Sequence, residues 1–499
     1  MRKQDDATAA QASIGDVAAC AARVDAQVRA VLGRVMAQRR SVEVAFAYAA
    51  ALSPGVRANC RDLAQAAGHE GWGRMQALLR SYVRDWKELR AELAGLAAGW
   101  LPDRDGDLTG PGIAIDETAH LKNGDATACV APQHAGCTGQ AENCVTTVFS
   151  AYVTPGGHAW ADFDVYMPKR WADDKERRDA AGIPDDLMFA TKPGLAAGQL
   201  TRLIAAGLPL KWVAADEVYG RSGDLREACR KAGLASVFII PCDFPVTTAA
   251  GTVIRAGQAV AGAVFERRSC GGGSKGPRYS DWALIATASP REFLLIRRLL
   301  SRPDQLTFYL CHAPEGTPAT MPFFITIAGR RWPAEETFKT GKDLLGWDQS
   351  QLRSFAGICR HTALAALAQL RYVAIRAALH GEITLPPAPG DGGSAPGTGP
   401  DAGGAKDGDA DAHGADLVIP LGDAPVPVRA RQPCPRKISP IRLSVAETAR
   451  LARLAADYAA GLITRARLAF TLRWSARRRR HQAAARWHHY SARLLAVAT

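Results

Sequence analysis

Three acidic residues of this 499-residue chain stand where carboxylates can do chemistry. Asp116 and Asp216 each close a short apolar run, Gly112-Ile113-Ala114-Ile115 and Trp212-Val213-Ala214-Ala215, and each is followed by glutamate. The end of a buried strand is a rigid mount that opens on a crevice, so an acid there can serve a reaction; it can also be a plain turn former. The third, Glu335, lies in Arg331-Trp332-Pro333-Ala334-Glu335-Glu336-Thr337-Phe338-Lys339-Thr340-Gly341-Lys342. Pro333 marks a helix start. Glu335, Phe338 and Lys342 then share one helical face, with Arg331 just before the first turn. Taken alone, that set also reads as surface ion pairs. Together, three carboxylates are what a two-metal phosphoryl-transfer site needs. Hard Mg²⁺ or Mn²⁺ takes oxygen ligands, and two ions roughly 4 Å apart clamp the attacking and leaving oxygens. Arg331, by its fork, and Lys342, as a point charge, would hold phosphates beside them.

The elements that must position these residues follow an α/β pattern. Gly112 to Ile115 is a buried strand ending at Asp116; Val145 to Val153 and Ala159 to Tyr166 are two more, joined by the turn signal Pro155-Gly156-Gly157. Thr191, with Pro193 behind it, caps a helix whose positions Ala196, Leu200, Leu203, Ile204 and Gly207 keep helical spacing. Trp212 to Ala215 is the next strand, Ser222 and Gly233 bracket another helix, and Val237 to Ile240 makes a fifth strand. Three strands, then helix, strand, helix, strand, is the order of the ribonuclease H-like fold. Residues 244–328 interrupt it with β-prone pieces around the loop Cys270 to Arg278, and helical periodicity returns from Pro333 to about Ala378. The expected fold class is α/β: a ribonuclease H-like catalytic core over 109–243 and 329–380, a β-rich insertion over 244–328, and helical N-terminal and C-terminal regions.

The N-terminal region, 1–108, is Ala/Leu/Arg-rich and helical, broken at Pro54-Gly55 and turning at Gly68-His69-Glu70-Gly71. Two helices about that turn make either a DNA-binding helix-turn-helix or a plain bundle. Residues 386–415 are Gly, Pro, Ala and Asp with almost no apolar bulk, which predicts a disordered linker. The C-terminal region, 416–499, opens a helix with the capping box Ser444-Val445-Ala446-Glu447 and continues in a basic stretch, Thr464 to Leu495. Lys and Arg outnumber Asp and Glu by 62 to 49, a net +13 that suits a polyanionic partner and also fits a merely basic soluble protein. Eleven cysteines without a Cys-x-x-Cys pair, the nearest cluster being Cys129, Cys137 and Cys144, lack zinc-site spacing and read as reduced thiols. No apolar h-region follows Met1-Arg2-Lys3 and no run of about 18 apolar residues occurs, so a cytoplasmic protein without a membrane partner is expected.

With these residues in view, the chain resembles insertion-sequence transposases of the DDE superfamily, in the branch with a Tyr-Arg-Glu-Lys signature. That signature sets Arg four residues before the catalytic Glu and Lys seven after it, as Arg331, Glu335 and Lys342 stand here. Ile115-Asp116-Glu117-Thr118, Phe189-Ala190-Thr191-Lys192-Pro193, Trp212 to Gly220, Gly272 to Arg278 and Arg360-His361 resemble further stretches of these enzymes, and the likeness runs from about 57 to 378 and again from 440 to 490. It departs at the signature's tyrosine, where Ala328 stands, and in the length of the linker. The resemblance implies a DDE endonuclease performing phosphodiester hydrolysis and transesterification with catalytic Asp116, Asp216 and Glu335. Two Mg²⁺ (or Mn²⁺) ions would be held by those three acids. It also implies double-stranded DNA as partner (terminal inverted repeats and target DNA), a dimer when assembled on DNA, and a bacterial, nucleoid-associated setting.

Other residues carry weaker signals. Lys275 and Arg278, in a Gly-rich loop without the Gly-x-x-x-x-Gly-Lys-Ser/Thr spacing, read as contacts to a DNA backbone. Trp282 stacks on a displaced base or fills a β core, and Arg297 and Arg298 contact DNA or solvent. The run Arg477, Arg478, Arg479, Arg480, flanked by Trp474 and Trp487, reads as a phosphate-tracking helix face or a basic tail. The open alternatives are another ribonuclease H-like nuclease, a catalytically silent DNA-binding relative, and a helical scaffold for protein partners.

Overall fold

Alternating apolar strands and capped helices assemble on one large mixed sheet in the computed structural model, which describes residues 2–82, 86–101, 103, 109–273, 276–386, 441 and 443–498. Lys275, all but Pro386 of the expected linker and residues 416–440 lie outside the described residues. The N-terminal helices are α1 (Arg2–Val35), α2 (Arg39–Ala51), α3 (Cys60–Ala66), α4 (Gly73–Ala77) and α5 (Trp86–Trp100). Strands β1 (Gly112–Leu121), β2 (Ala131–Ala135), β3 (Gln140–Thr154) and β4 (Gly157–Val165) follow, then α6 (Lys169–Ala172), α7 (Lys175–Ala181) and α8 (Lys192–Ala205). Next come β5 (Trp212–Ala215), α9 (Glu217–Gly220), α10 (Gly223–Lys231) and β6 (Ala235–Ile240). The insertion holds β7 (Pro245–Thr247), β8 (Val253–Arg255), β9 (Glu266–Gly273), β10 (Gly276–Ala286), β11 (Glu292–Leu299) and β12 (Arg302–His312). Helices α11 (Met321–Arg330), α12 (Trp332–Lys339), α13 (Phe355–Leu379), α14 (Val445–Ala459) and α15 (Arg465–Ala498) complete the chain.

The strands β4-β3-β1-β5-β6 stand in the ribonuclease H-like order, antiparallel through β1 and parallel from β1 to β5 to β6. The helix signals act as read: Thr191 accepts from the Gly194 amide, Ser222 from the Leu225 amide, and Gly233 takes φ +66° after α10. Two expectations change. β1 does not stop at Asp116: its parallel pairing with β5 ends at Ile115↔Ala215, while its antiparallel pairing with β3 runs on to Leu121↔Cys144. The strand therefore carries Asp116 with one edge open. The additional strand β2 pairs with the start of β3, so β6 is the sixth strand, not the fifth.

The insertion is continuous with the core sheet, because β12 pairs antiparallel with β6 and leads on to β11, β10 and β9. Its last segment is the helix α11, whose Phe323, Phe324, Ile325 and Ile327 bury against the sheet beside Trp212 and Ala214. The largest apolar cluster joins the sheet to α1, α2, α5, α8, α13 and α14. α13, within the stretch whose helical periodicity runs to about Ala378, is long and apolar enough to cross a membrane by length and composition, but 83% of that window is buried inside the fold. Leu63, Met75, Leu78 and Leu79, around the expected helix-turn-helix, are spent on the same core, and Arg360 of α13 donates to the Leu79 carbonyl at 2.9 Å. The capping box at α14 is half formed. Ser444 accepts from the Glu447 amide at 3.2 Å, but the Glu447 carboxylate turns instead to Ser475, Arg450 and Arg478. Among the described residues the cysteines are free thiols, most of them buried.

Candidate active site

Strand alternation decides which way each acid faces. On β1, Asp116 shares the face of Ala114 and of Phe149, its partner on β3, while Ile113 and Ile115 point to the other face. That face is covered by α12, where Ala334 is buried and Phe338 packs edge-on against Phe149 with ring centroids 5.6 Å apart. Gly341, just beyond, stands where a Cβ would lie 2.0 Å from the Trp160 ring, so the segment approaches β4 as closely as it does only with glycine. Asp216 leaves β5 one residue past the Ile115↔Ala215 pair and caps α9, its Oδ1 accepting from the Val218 amide at 3.0 Å. Gly220 at the end of α9 fits against β6 at a point where a Cβ would meet the Ile239 carbonyl oxygen at 1.9 Å.

One guanidinium joins two of the acids. Arg331 is helical (φ −66°, ψ −35°) and links α11 to α12. Its Nη1 donates to Asp116 Oδ2 at 3.2 Å and its Nη2 to Glu335 Oε1 at 2.7 Å. The Asp116 side chain is 15% exposed and that of Glu335 38%. Burial first, and the Asp216 carboxylate second, push the Asp116 carboxyl up to about 7, against the pull of Arg331. The Asp216 carboxyl is likewise raised, by burial and then by Glu117. The carboxylates thus lie close enough to oppose one another's ionisation. Lys342 reaches the back of β1, donating from Nζ to the Ala119 carbonyl at 2.9 Å.

Three residues that the sequence did not assign complete the surroundings. Glu117, on the opposite face of β1, accepts from Lys192 Nζ at 2.7 Å and from the Tyr219 hydroxyl at 2.5 Å. The Tyr219 phenol is held well above its ordinary range, by burial and then by Glu117. In the sequence all three stood inside stretches that resemble DDE transposases, Ile115 to Thr118, Phe189 to Pro193 and Trp212 to Gly220, without a role of their own. The donor atoms of Asp116, Asp216 and Glu335 are all carboxylate oxygens, the chemistry that Mg²⁺ and Mn²⁺ prefer. Among the described residues no three His, Cys, Asp or Glu side chains stand as a ready-made metal cage, the guanidinium of Arg331 lying between Asp116 and Glu335.

The remaining candidates are spread over other surfaces. Trp282 is fully buried beside Tyr309, with Nε1 on the Arg268 carbonyl; base stacking is corrected here, since the packed ring offers no free face. Arg278 Nη2 ties the carbonyls of Cys270 and Gly329, at 3.3 and 3.1 Å. Arg298 pairs with Asp281 at 3.2 Å, and Arg297 lies near Thr307 and the Trp282 ring. Helical rotation divides the arginine run. Arg478 binds both oxygens of Glu447 and Arg479 the Ile441 carbonyl, whereas Arg477 and Arg480 are exposed, Arg477 lying 5.5 Å from the Trp474 ring centre.

A family model described as DDE superfamily endonuclease matches residues 30–260, and a second, described as transposase DDE domain, matches residues 193–370. The first spans both aspartates; the second spans Asp216 and Glu335. No curated protein matches the chain.

Proposed function

Because this chain belongs to the DDE superfamily of endonucleases and transposases, we propose that it is the transposase of an insertion sequence, in the Tyr-Arg-Glu-Lys branch. It cuts DNA at the element's ends and joins the freed 3′-hydroxyl to target DNA. The observation that supports this best is the Arg331 guanidinium shared by Asp116 and Glu335, far apart in sequence, with Asp216 beside them. Asp116, Asp216 and Glu335 would hold Mg²⁺ or Mn²⁺, two ions being expected, and these would supply Lewis acidity for the phosphodiester chemistry. The chain's own groups do the rest. β1 and β5 are rigid mounts for Asp116 and Asp216, and Arg331 ties Glu335 of α12 to Asp116. Arg331, whose fork now neutralises two carboxylates, is the donor that a substrate phosphate competes for. Lys342, anchored on Ala119, adds a fixed positive charge behind it. Affinity for terminal inverted repeats and target duplex comes from basic surfaces, the exposed Arg477 and Arg480 among them, with the N-terminal helices as a second DNA-binding region and a dimer assembling on DNA.

The experiment is cleavage of DNA carrying the element's end by the parental protein and by Glu335→Ala in Mg²⁺ and in Mn²⁺. The expected result is loss of cleavage by a factor of at least about a thousand, with duplex affinity within about twofold of parental. Cleavage at the parental rate removes Glu335 from the site and the proposal with it.

A further inference from the structure

A groove of about 640 Å³ opens on the sheet edge behind Glu117, lined by β2, the end of β4 and the starts of α6 and α8. Its chemistry is that of a nucleotide chain. Lys192, Arg170 and His134 bring positive or protonatable groups to it, Tyr166 brings a half-buried ring, Gln133 brings an amide, and no carboxylate lines it. The parts are held in place. The Tyr166 amide bonds the Thr146 carbonyl at 2.9 Å, and Arg170 Nη2 bonds the Val130 carbonyl at 2.7 Å while its side chain stays exposed. Lys192 faces both ways: its Nζ is 5.7 Å from the Tyr166 ring centre and 2.7 Å from Glu117 Oε1. Glu117 in turn accepts from the Tyr219 hydroxyl, on the helix that Asp216 caps, so Lys192 and Glu117 link the groove to the Asp216 side of the candidate active site.

We propose that this groove binds a single DNA strand running into the active site, with a base stacked on Tyr166 and phosphates on Arg170 and Lys192. The inference rests on the reading of the chain as a DNA-cutting enzyme and adds a strand-binding subsite to it. An open groove with one ring between two cations suits a flexible strand, whose bases are free to stack, better than a duplex, whose bases are already paired. A duplex is gripped instead by surfaces such as the exposed face of α15.

The test uses the full-length protein in EDTA, so that binding is read without cleavage, with a short labelled single-stranded oligonucleotide and its duplex as probes. Tyr166→Leu, Arg170→Gln and His134→Ala are compared with the parental chain. His134 is exposed on an edge strand, so its variant keeps the groove testable should either of the others fold poorly. Expected are a loss of single-strand affinity of about tenfold for Tyr166→Leu and a salt dependence shallower by about 0.7 for Arg170→Gln. A smaller loss of the same kind is expected for His134→Ala, with duplex affinity unchanged throughout. Single-strand affinity at the parental value in all three variants overturns the proposal, as does an equal loss for duplex and single strand. Mononucleotide binding as tight as that of the oligonucleotide overturns it as well, assigning the groove to a free nucleotide. Asp116→Asn separates the two readings. If it still cuts DNA, the nuclease reading fails whatever the groove binds. If it is inactive while the groove variants bind normally, only the groove proposal fails.

Discussion

Replacing Asp116 by asparagine is expected to make the metal-free protein more stable while destroying its activity. Asp116 is buried between β5 and α12, and its carboxyl is raised from 3.8 to about 7 by burial and by Asp216, despite Arg331. Its folded-state value thus lies above its unfolded one. At pH 4 the unfolded carboxyl is only about half ionised and the folded one protonated, so the cost is still small. As the pH rises toward 7 the unfolded chain ionises first, and folding loses free energy until the folded carboxyl ionises too. A displacement of that size corresponds to about 4 kcal/mol at neutral to alkaline pH, an upper figure since relaxation and water entry reduce it. An isosteric amide carries no charge, keeps a donor and an acceptor, and also frees Asp216 from a like charge. The assay is thermal melting in EDTA at pH 4 and pH 8. At pH 4 the two proteins melt nearly together. At pH 8 Asp116→Asn melts higher by several degrees, at roughly 2 °C per kcal/mol. Added Mn²⁺ at pH 8 raises the parental midpoint and closes the gap, because bound cation relieves the same repulsion. A variant that melts lower at pH 8, or by the same margin at both pH values, refutes this electrostatic description of the site.

Three further outcomes follow from the same structure. Arg331→Gln removes the counterion shared by Asp116 and Glu335; cleavage falls on the order of a hundredfold, and the acid-to-neutral loss of stability in EDTA begins at the same pH but extends to higher pH, since Arg331 holds the folded-state Asp116 down. Asp162→Ala leaves Arg90 and Arg202, which bond it at 3.4 and 2.9 Å, with Asp164 as their remaining carboxylate partner; destabilisation of about 1–3 kcal/mol is expected by chemical denaturation. Arg477→Ala with Arg480→Ala lowers the slope of log affinity for duplex DNA against log salt by about 0.9 for each lost phosphate contact, while Arg478→Ala, which leaves Glu447 with Arg450 and Ser475, lowers the melting temperature.

Local chemistry was legible where it acts locally. Thr191 and Ser222 cap the helices the sequence assigned to them, and the apolar run Trp212 to Ala215 delivers Asp216 at a strand end, because caps and buried strands are written in adjacent residues. β1 was cut short because Glu117, Thr118 and His120 look polar; the register with β3 that carries it to Leu121 is a long-range fact. The same limit hid the joining of the insertion to β6, and the bonds of Arg278 to the carbonyls of Cys270 and Gly329. Trp282 could be read either way until the sheet closed over it. The division of the arginine run was within reach of sequence reasoning. At about 100° per residue Arg477 and Arg478 cannot face one way, and Glu447, once denied its capping-box bond, needed a cation.

The most direct test of the central claim, that Asp116, Asp216 and Glu335 jointly hold divalent ions, is a count of Mn²⁺ bound per chain by calorimetric titration on the parental protein and on Asp116→Asn, Asp216→Asn and Glu335→Gln. Two ions on the parental chain, with each single variant losing at least one of them or binding it at least about tenfold more weakly, is the expected result. Equal stoichiometry and affinity in all four proteins contradicts it.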